Sequence, residues 1–129
     1  MKYLLDTHTA TWYFTDDGNL SANAKMIIDN DDTALYVSVA SVWEIAIKVS
    51  TGRANFSLDV NVDSFTQELK NNNIELVSIH PKHLKIVENL PFRHKDPFDR
   101  LLVATAIAEN MTLITADEKI GKYDCAILW

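Results

Sequence analysis

Short apolar runs rich in β-branched residues alternate along the chain with stretches of helical spacing. Lys2 to Leu5 reads as a first strand, and Thr9 to Thr15 as a helix ended by the turn residues Asp16-Asp17-Gly18-Asn19. Ser21 is placed to cap a second helix with Ala24, Ile27 and Ile28 on its buried side. Leu35 to Val39 predicts a short buried strand, followed by a helix from about Ser41 to Ser50 that Gly52 closes. Val62, Phe65 and Leu69 share one face of a helix over Asn61 to Asn72. Ile74 to Ile79 is the next strand, and Pro81 sits in the first turn of a helix, where proline is well placed. After a loop from Pro91 to Lys95, Pro97 starts a helix reaching about Asn110. Thr112 to Thr115 predicts a fourth strand, Asp117 a short turn or helix, and Ala126 to Trp129 a last edge strand. This alternation favours an α/β fold, with a central, mainly parallel β-sheet covered by helices on both faces.

No repeat, low-complexity tract or linker interrupts the pattern, and 129 residues suit one domain spanning 1–129. At 47% hydrophobic, the chain can build a core without metal or disulfide staples. Its one cysteine, Cys125, has no internal partner, which favours a reducing, cytoplasmic setting. The N-terminal apolar stretch stops at Asp6, so no signal peptide is expected. The most apolar region, Ala34 to Val49, is broken by Glu44 and Lys48 and falls short of a membrane span. A net charge of -6 argues against a protein that simply coats nucleic acid, because phosphate binding needs a basic surface. It leaves room for an enzyme that sets metal ions between its own carboxylates and a phosphate.

The positions of the acids sharpen that idea. Asp6 ends the first strand, Glu44 lies in the first turn after the second, and Asp117 follows the fourth. Asp96 and Asp99 stand at the start of the Pro97 helix. In a parallel sheet the strand C-termini share one edge, where ligands bind at the point of topological switch. Carboxylates gathered there repel one another, and bound Mg²⁺ or Mn²⁺ relieves the conflict, because hard cations prefer carboxylate oxygen. A pair of such ions can activate water and stabilise the leaving oxygen of a phosphodiester. A plainer reading competes: Asp6, Asp96 and Asp117 are each placed to cap a helix or turn, and Ser41-x-x-Glu44 matches a capping box.

At these residues the sequence resembles the PIN-domain nucleases, and among them the VapC-like toxins of bacterial toxin–antitoxin pairs. The resemblance lies in Tyr3-Leu4-Leu5-Asp6-Thr7-His8, Ser41-Val42-Trp43-Glu44-Ile45, Asp96-Pro97-Phe98-Asp99-Arg100-Leu101-Leu102 and Leu113-Ile114-Thr115-Ala116-Asp117. These segments occur in the family's order and cover nearly the whole chain. The resemblance implies a PIN-like three-layer α/β/α fold and a metal-dependent endoribonuclease with catalytic, metal-binding acids Asp6, Glu44, Asp99 and Asp117. It makes Asp96 an auxiliary ligand or a cap and gives Thr115 the place of a hydroxyl that holds a metal-bound water. It also implies an RNA substrate, a cognate antitoxin whose tail lies across the toxin, and a homodimer.

Other residues carry two readings each. Lys48, one turn beyond Glu44, is either its i,i+4 ion-pair partner or a contact to RNA phosphate. Arg53, Arg93, Lys95 and Arg100 are candidates for the same rim, with solvated surface as the plainer fate. His94 is placed as a possible base that a metal mechanism does not require, and His8 as packing beside Asp6. Trp12, Tyr13 and Phe14 are adjacent and cannot all point inward, so at least one is expected at the surface or an interface. Two other classes compete with the nuclease: a different phosphoryl-transfer hydrolase and a non-catalytic binding module. A dehalogenase-type phosphatase calls for a second aspartate two positions after the first, where this chain has His8.

Overall fold

The computed structural model describes residues 1–52 and 60–129, so the candidate rim residue Arg53 lies outside the described residues. In chain order the elements are β1 (Lys2–Leu5), α1 (Thr7–Phe14), α2 (Ala22–Asp29), β2 (Ala34–Ser38), α3 (Val39–Ser50), α4 (Val62–Asn71), β3 (Glu75–Val77), α5 (Pro81–Asn89), α6 (Pro97–Glu109), β4 (Thr112–Ile114) and β5 (Ile127–Leu128), with a 3-10 turn over Ile120–Lys122 before β5. The strands form one parallel sheet in the order β3-β2-β1-β4-β5.

Residues of β1 split between two cores, as the two-residue period of a strand requires. Tyr3 and Leu5 join Leu35, Val37, Phe65 and Leu69 on one face, with Ala10 of α1 and Ala24 and Ile28 of α2. Leu4 turns the other way onto Leu102, Val103 and Ala106 of α6, with Leu113, Ile120 and Tyr123. Helices therefore cover both faces, and a strand buried on both sides reads as a nearly continuous apolar run. The order places the switch between β1 and β4: connections from β1 run toward β2 and β3, while β4 and β5 lie on its other side. Leu5 is in register with Ile114, so the residues that follow them emerge side by side.

Local chemistry moves several boundaries from where the periodicity put them. Asp6 caps α1 by accepting from the Thr9 amide at 2.8 Å, so the helix starts at Thr7 rather than Thr9. Ser38, not Ser41, caps α3, its hydroxyl accepting from the Ala40 amide at 3.0 Å. Glu44 thus falls in the second helical turn, and the expected Ser41–Glu44 capping box does not form. The Ser41 hydroxyl is instead buried without a hydrogen-bond partner. Strand β3 is three residues long, because His80 and Pro81 already begin α5. Gly52 takes a positive φ of 70° just past α3, and Asn110 takes 55° at the end of α6, a conformation Asn tolerates better than most residues.

Among the described residues, no helix is long and apolar enough to cross a membrane. Trp12, Tyr13 and Phe14 are all half-buried. Trp12 packs against Trp129, Phe14 meets Phe65 edge-on, and the Tyr13 hydroxyl donates to Asp29 at 2.7 Å.

Candidate active site

Five segments converge on the sheet edge at the β1/β4 switch. Asp6, Glu44, Asp96, Asp99 and Asp117 line one cleft of about 460 Å³, together with Lys48, His94, His8 and Trp12. The acids therefore share a site even where they also cap. Asp6 lies directly beyond β1, buried at 7% exposure, with one carboxylate oxygen on the Thr9 amide and the other accepting from the Thr115 hydroxyl at 2.5 Å. Thr115, just past β4, in turn accepts from the Asp117 amide at 3.1 Å. One buried hydroxyl thus locks the Asp6 carboxylate to the loop carrying Asp117, and both of these bonds are to protein groups.

Asp96 is a true N-cap, accepting from the Phe98 amide at 2.8 Å and from the Asp99 amide at 3.4 Å. Asp99 is free of capping duty and projects from the first turn of α6, where the helix N-terminus favours negative charge. Glu44 pairs with Lys48 at 3.3 Å across one turn of α3, which holds a cation at the margin of the acid group. His8 tilts against Trp12 with ring centres 5.5 Å apart.

His94, which the sequence offers only as a possible base, pairs with two of the acids. Its Nε2 lies 2.8 Å from Asp117 Oδ2 and 3.0 Å from Asp99 Oδ2. Its Nδ1 accepts from the Asp96 amide at 3.1 Å, so in the neutral ring the proton sits on Nε2 and faces the two carboxylates. The loop bearing it is fixed by the buried Tyr123 hydroxyl, which accepts from the Arg93 and His94 amides at 3.1 and 3.0 Å and from Arg100 at 3.0 Å. Arg100 is buried rather than solvated or at a rim, at 7% exposure. It also donates to the carbonyls of Pro91 at 3.0 Å and Val87 at 3.3 Å.

The electrostatics are those of acids short of positive charge. Burial and then the neighbouring Asp96 push the Asp99 carboxyl up to about 7, with Asp6 and Asp117 adding to the rise and His94 opposing it. Burial also raises Asp6 above its ordinary value, against the hydrogen bonds from Thr115 and Thr9. For Asp117 burial again pushes upward, but the His94 ring and the Lys119 amide outweigh it and leave this acid below the usual range. A carboxylate oxygen of Asp99, one of Asp117 and the His94 Nε2 all lie within 4.8 Å of one another, and the two carboxylates offer the ligand atoms. The imidazole N–H stands between two carboxylates, where a cation would be equally well received. Hard oxygen donors, a raised carboxyl and a donor proton in the gap fit a divalent ion.

A parallel sheet with clustered carboxylates at its switch point is the arrangement of a PIN domain, and the PIN domain family model matches residues 3–125. The chain belongs to that family. It is 33% identical over 121 residues to Ribonuclease VapC22 of Mycobacterium tuberculosis, covering 93% of this chain and 90% of that protein. Among solved structures it is similar to VapBC2 of Rickettsia felis bound to a promoter DNA fragment (TM-score 0.70, 17% identity, 99% of this chain and 98% of that one). It is also similar to VapBC-1 of nontypeable Haemophilus influenzae (TM-score 0.64, 18% identity, 99% and 97% covered). At these identities the structural likeness speaks for the fold.

Proposed function

We propose that this protein is a metal-dependent endoribonuclease that hydrolyses RNA phosphodiester bonds, the toxin of a toxin–antitoxin pair. The observation that carries the reading is the meeting of Asp6, Glu44, Asp99 and Asp117 in one cleft, with Asp99 raised to about 7 by burial and by its acidic neighbours. Helix capping explains Asp6 and Asp96 but leaves Asp99 and Glu44 unaccounted for. The 33% identical relative is a ribonuclease by name, and the match spans most of both chains.

In this reading Asp6, Asp99 and Asp117 hold the cation directly, Glu44 completes the acid set, and Asp96 acts first as the cap that orients Asp99. Mg²⁺ and Mn²⁺ both suit carboxylate oxygens, and an ion bound here supplies charge neutralisation and an activated water for hydrolysis. Thr115 holds the Asp6 carboxylate in place. His94 holds Asp99 and Asp117 in place through its Nε2, so that their carboxylates would be positioned to hold an ion. Lys48 keeps Glu44 turned into the cleft and offers a cation to the phosphate beside it.

The partner is a cognate antitoxin, and the protein pairs as a homodimer. The first proposal draws on a toxin–antitoxin complex of similar fold, and the second on the resemblance to VapC-like toxins. The apolar stripe Val39, Trp43 and Ile47 on α3 supports a protein partner: Trp43 is 58% exposed and packs edge-on against Phe98 beside the cleft.

The test is cleavage of a mixed RNA pool by purified protein with Mg²⁺, Mn²⁺ or chelator, beside Asp99→Asn prepared identically. Cleavage that needs the metal and is missing from Asp99→Asn supports the reading. Equal activity of the two proteins, or activity in chelator, refutes it.

A further inference from the structure

A second, larger cleft of about 830 Å³ opens beside the acid site and shares His94 and Asp96 with it. Arg93, Lys95, Lys119 and Lys122 line this cleft, a third of the chain's Lys and Arg, in a protein of net charge -6. Asp96 is the single acid among the described residues that line it. At its wall stands Phe92, 86% exposed. A loop phenylalanine this exposed would ordinarily have no fixed orientation. Here the guanidinium of the buried Arg100 lies 4.2 Å from the ring centre, and Arg100 is itself held by Tyr123 and by carbonyls of the 87–91 segment. One face of the ring therefore rests on a fixed cation, and the ring remains open to a second flat partner.

We infer that this cleft is the path by which single-stranded RNA enters the acid site, with an unpaired base stacked on Phe92 and its phosphates running along Arg93, Lys95, Lys119 and Lys122. The inference rests on the ribonuclease reading and adds to it the cleft and the side chains that receive the strand. An aromatic face can take a base only when that base is out of its pair, so a duplex is poorly received. The cations track the backbone without reading sequence. Lys119 is tied to the reacting end, because its amide donates to Asp117 at 2.9 Å. Carboxylates that bind a metal repel bare phosphate, so the binding energy for RNA has to come from a neighbouring basic surface.

The experiment measures fluorescence anisotropy of a labelled 12-nucleotide single strand and of a hairpin of equal length. It uses wild type in chelator and the Asp99→Asn background. Phe92→Ala should weaken single-strand binding roughly 5- to 100-fold, the range for losing one stacked base, and Phe92→Trp should restore it. Lys119→Gln with Lys122→Gln should make the log Kd against log salt plot shallower by about 1.4, or about 0.7 for each lost phosphate contact. Lys25→Gln, whose lysine pairs with Asp29 away from the cleft, should leave both unchanged. In cleavage assays Phe92→Ala should raise KM and spare kcat. Affinity of Phe92→Ala within twofold of wild type, or equal binding of strand and hairpin, overturns the inference. If RNA binding is unchanged while Phe92→Ala dissociates a dimer in sedimentation, the face belongs to a second copy and the inference is overturned. Should wild type cleave and Asp99→Asn not, while the cleft variants bind and cleave normally, the cleft fails and the ribonuclease reading stands. Should RNA bind through the cleft and no metal support cleavage, the ribonuclease reading fails instead.

Discussion

Replacing Asp99 by Asn should stabilise the metal-free protein, by an amount that grows from about pH 4 and levels off above about pH 7. The carboxyl is raised from 3.8 to about 7, first by burial and then by Asp96, so the fold keeps a proton that the unfolded chain releases. That contribution is fully present below the unfolded pKa, near 4, and is lost as pH rises through about 7. At about 1.4 kcal/mol per pKa unit the ceiling is about 4 kcal/mol. The side chain retains 23% exposure, and solvent screening reduces the figure to about 1–3 kcal/mol. Loss of a negative charge from the first turn of α6 offsets about 0.3–1 kcal/mol of that. Asn keeps an oxygen to accept from His94 and cannot ionise. Thermal melts in chelator should therefore show no gain at pH 4 and a gain growing to roughly 3–10 °C by pH 8. Asp96, Asp6 and Asp117 repel the Asp99 carboxylate, so the difference reports its ionisation together with that repulsion. A lower melting temperature for Asp99→Asn at pH 8, or a gain independent of pH, would refute the reasoning.

Two further predictions probe the supports of the site. Asp96→Ala removes a cap that accepts from two amides and should cost about 1 kcal/mol in urea unfolding, whereas Asp96→Asn should restore most of it. Tyr123→Phe removes an acceptor shared by the Arg93 and His94 amides and Arg100. It should cost about 1–3 kcal/mol of stability and, by loosening the loop under His94, lower RNA cleavage at temperatures where the fold is intact.

The sheet and the meeting of Asp6 with Asp117 were legible because strand ends in a parallel sheet have one destination. Asp6 after β1 and Asp117 after β4 had to emerge on the same edge, and the switch between those strands made them neighbours. Helix starts were less legible, because two serines, Ser38 and Ser41, both suit a cap, and only backbone geometry chooses between them. His94 was legible only as a possible base, and its two carboxylate partners were hidden for a different reason. Its distance from Asp117 is set by a loop with no periodicity, which the Tyr123 hydroxyl holds from 29 residues away. Arg100 was open to a rim role or to solvated surface, yet it is buried against carbonyls and the Phe92 ring, an arrangement that composition cannot foretell.

Asp6, Glu44, Asp99 and Asp117 act in the proposed function as one cation site. The most direct test is calorimetric titration of Mn²⁺ into wild type and into Asp6→Asn, Glu44→Gln, Asp99→Asn and Asp117→Asn, each first verified as folded. Saturable binding to wild type, weakened at least tenfold in Asp6→Asn, Asp99→Asn and Asp117→Asn and measurably in Glu44→Gln, is the predicted result. Binding of equal affinity in all five proteins would show that these carboxylates do not share an ion, and would contradict it.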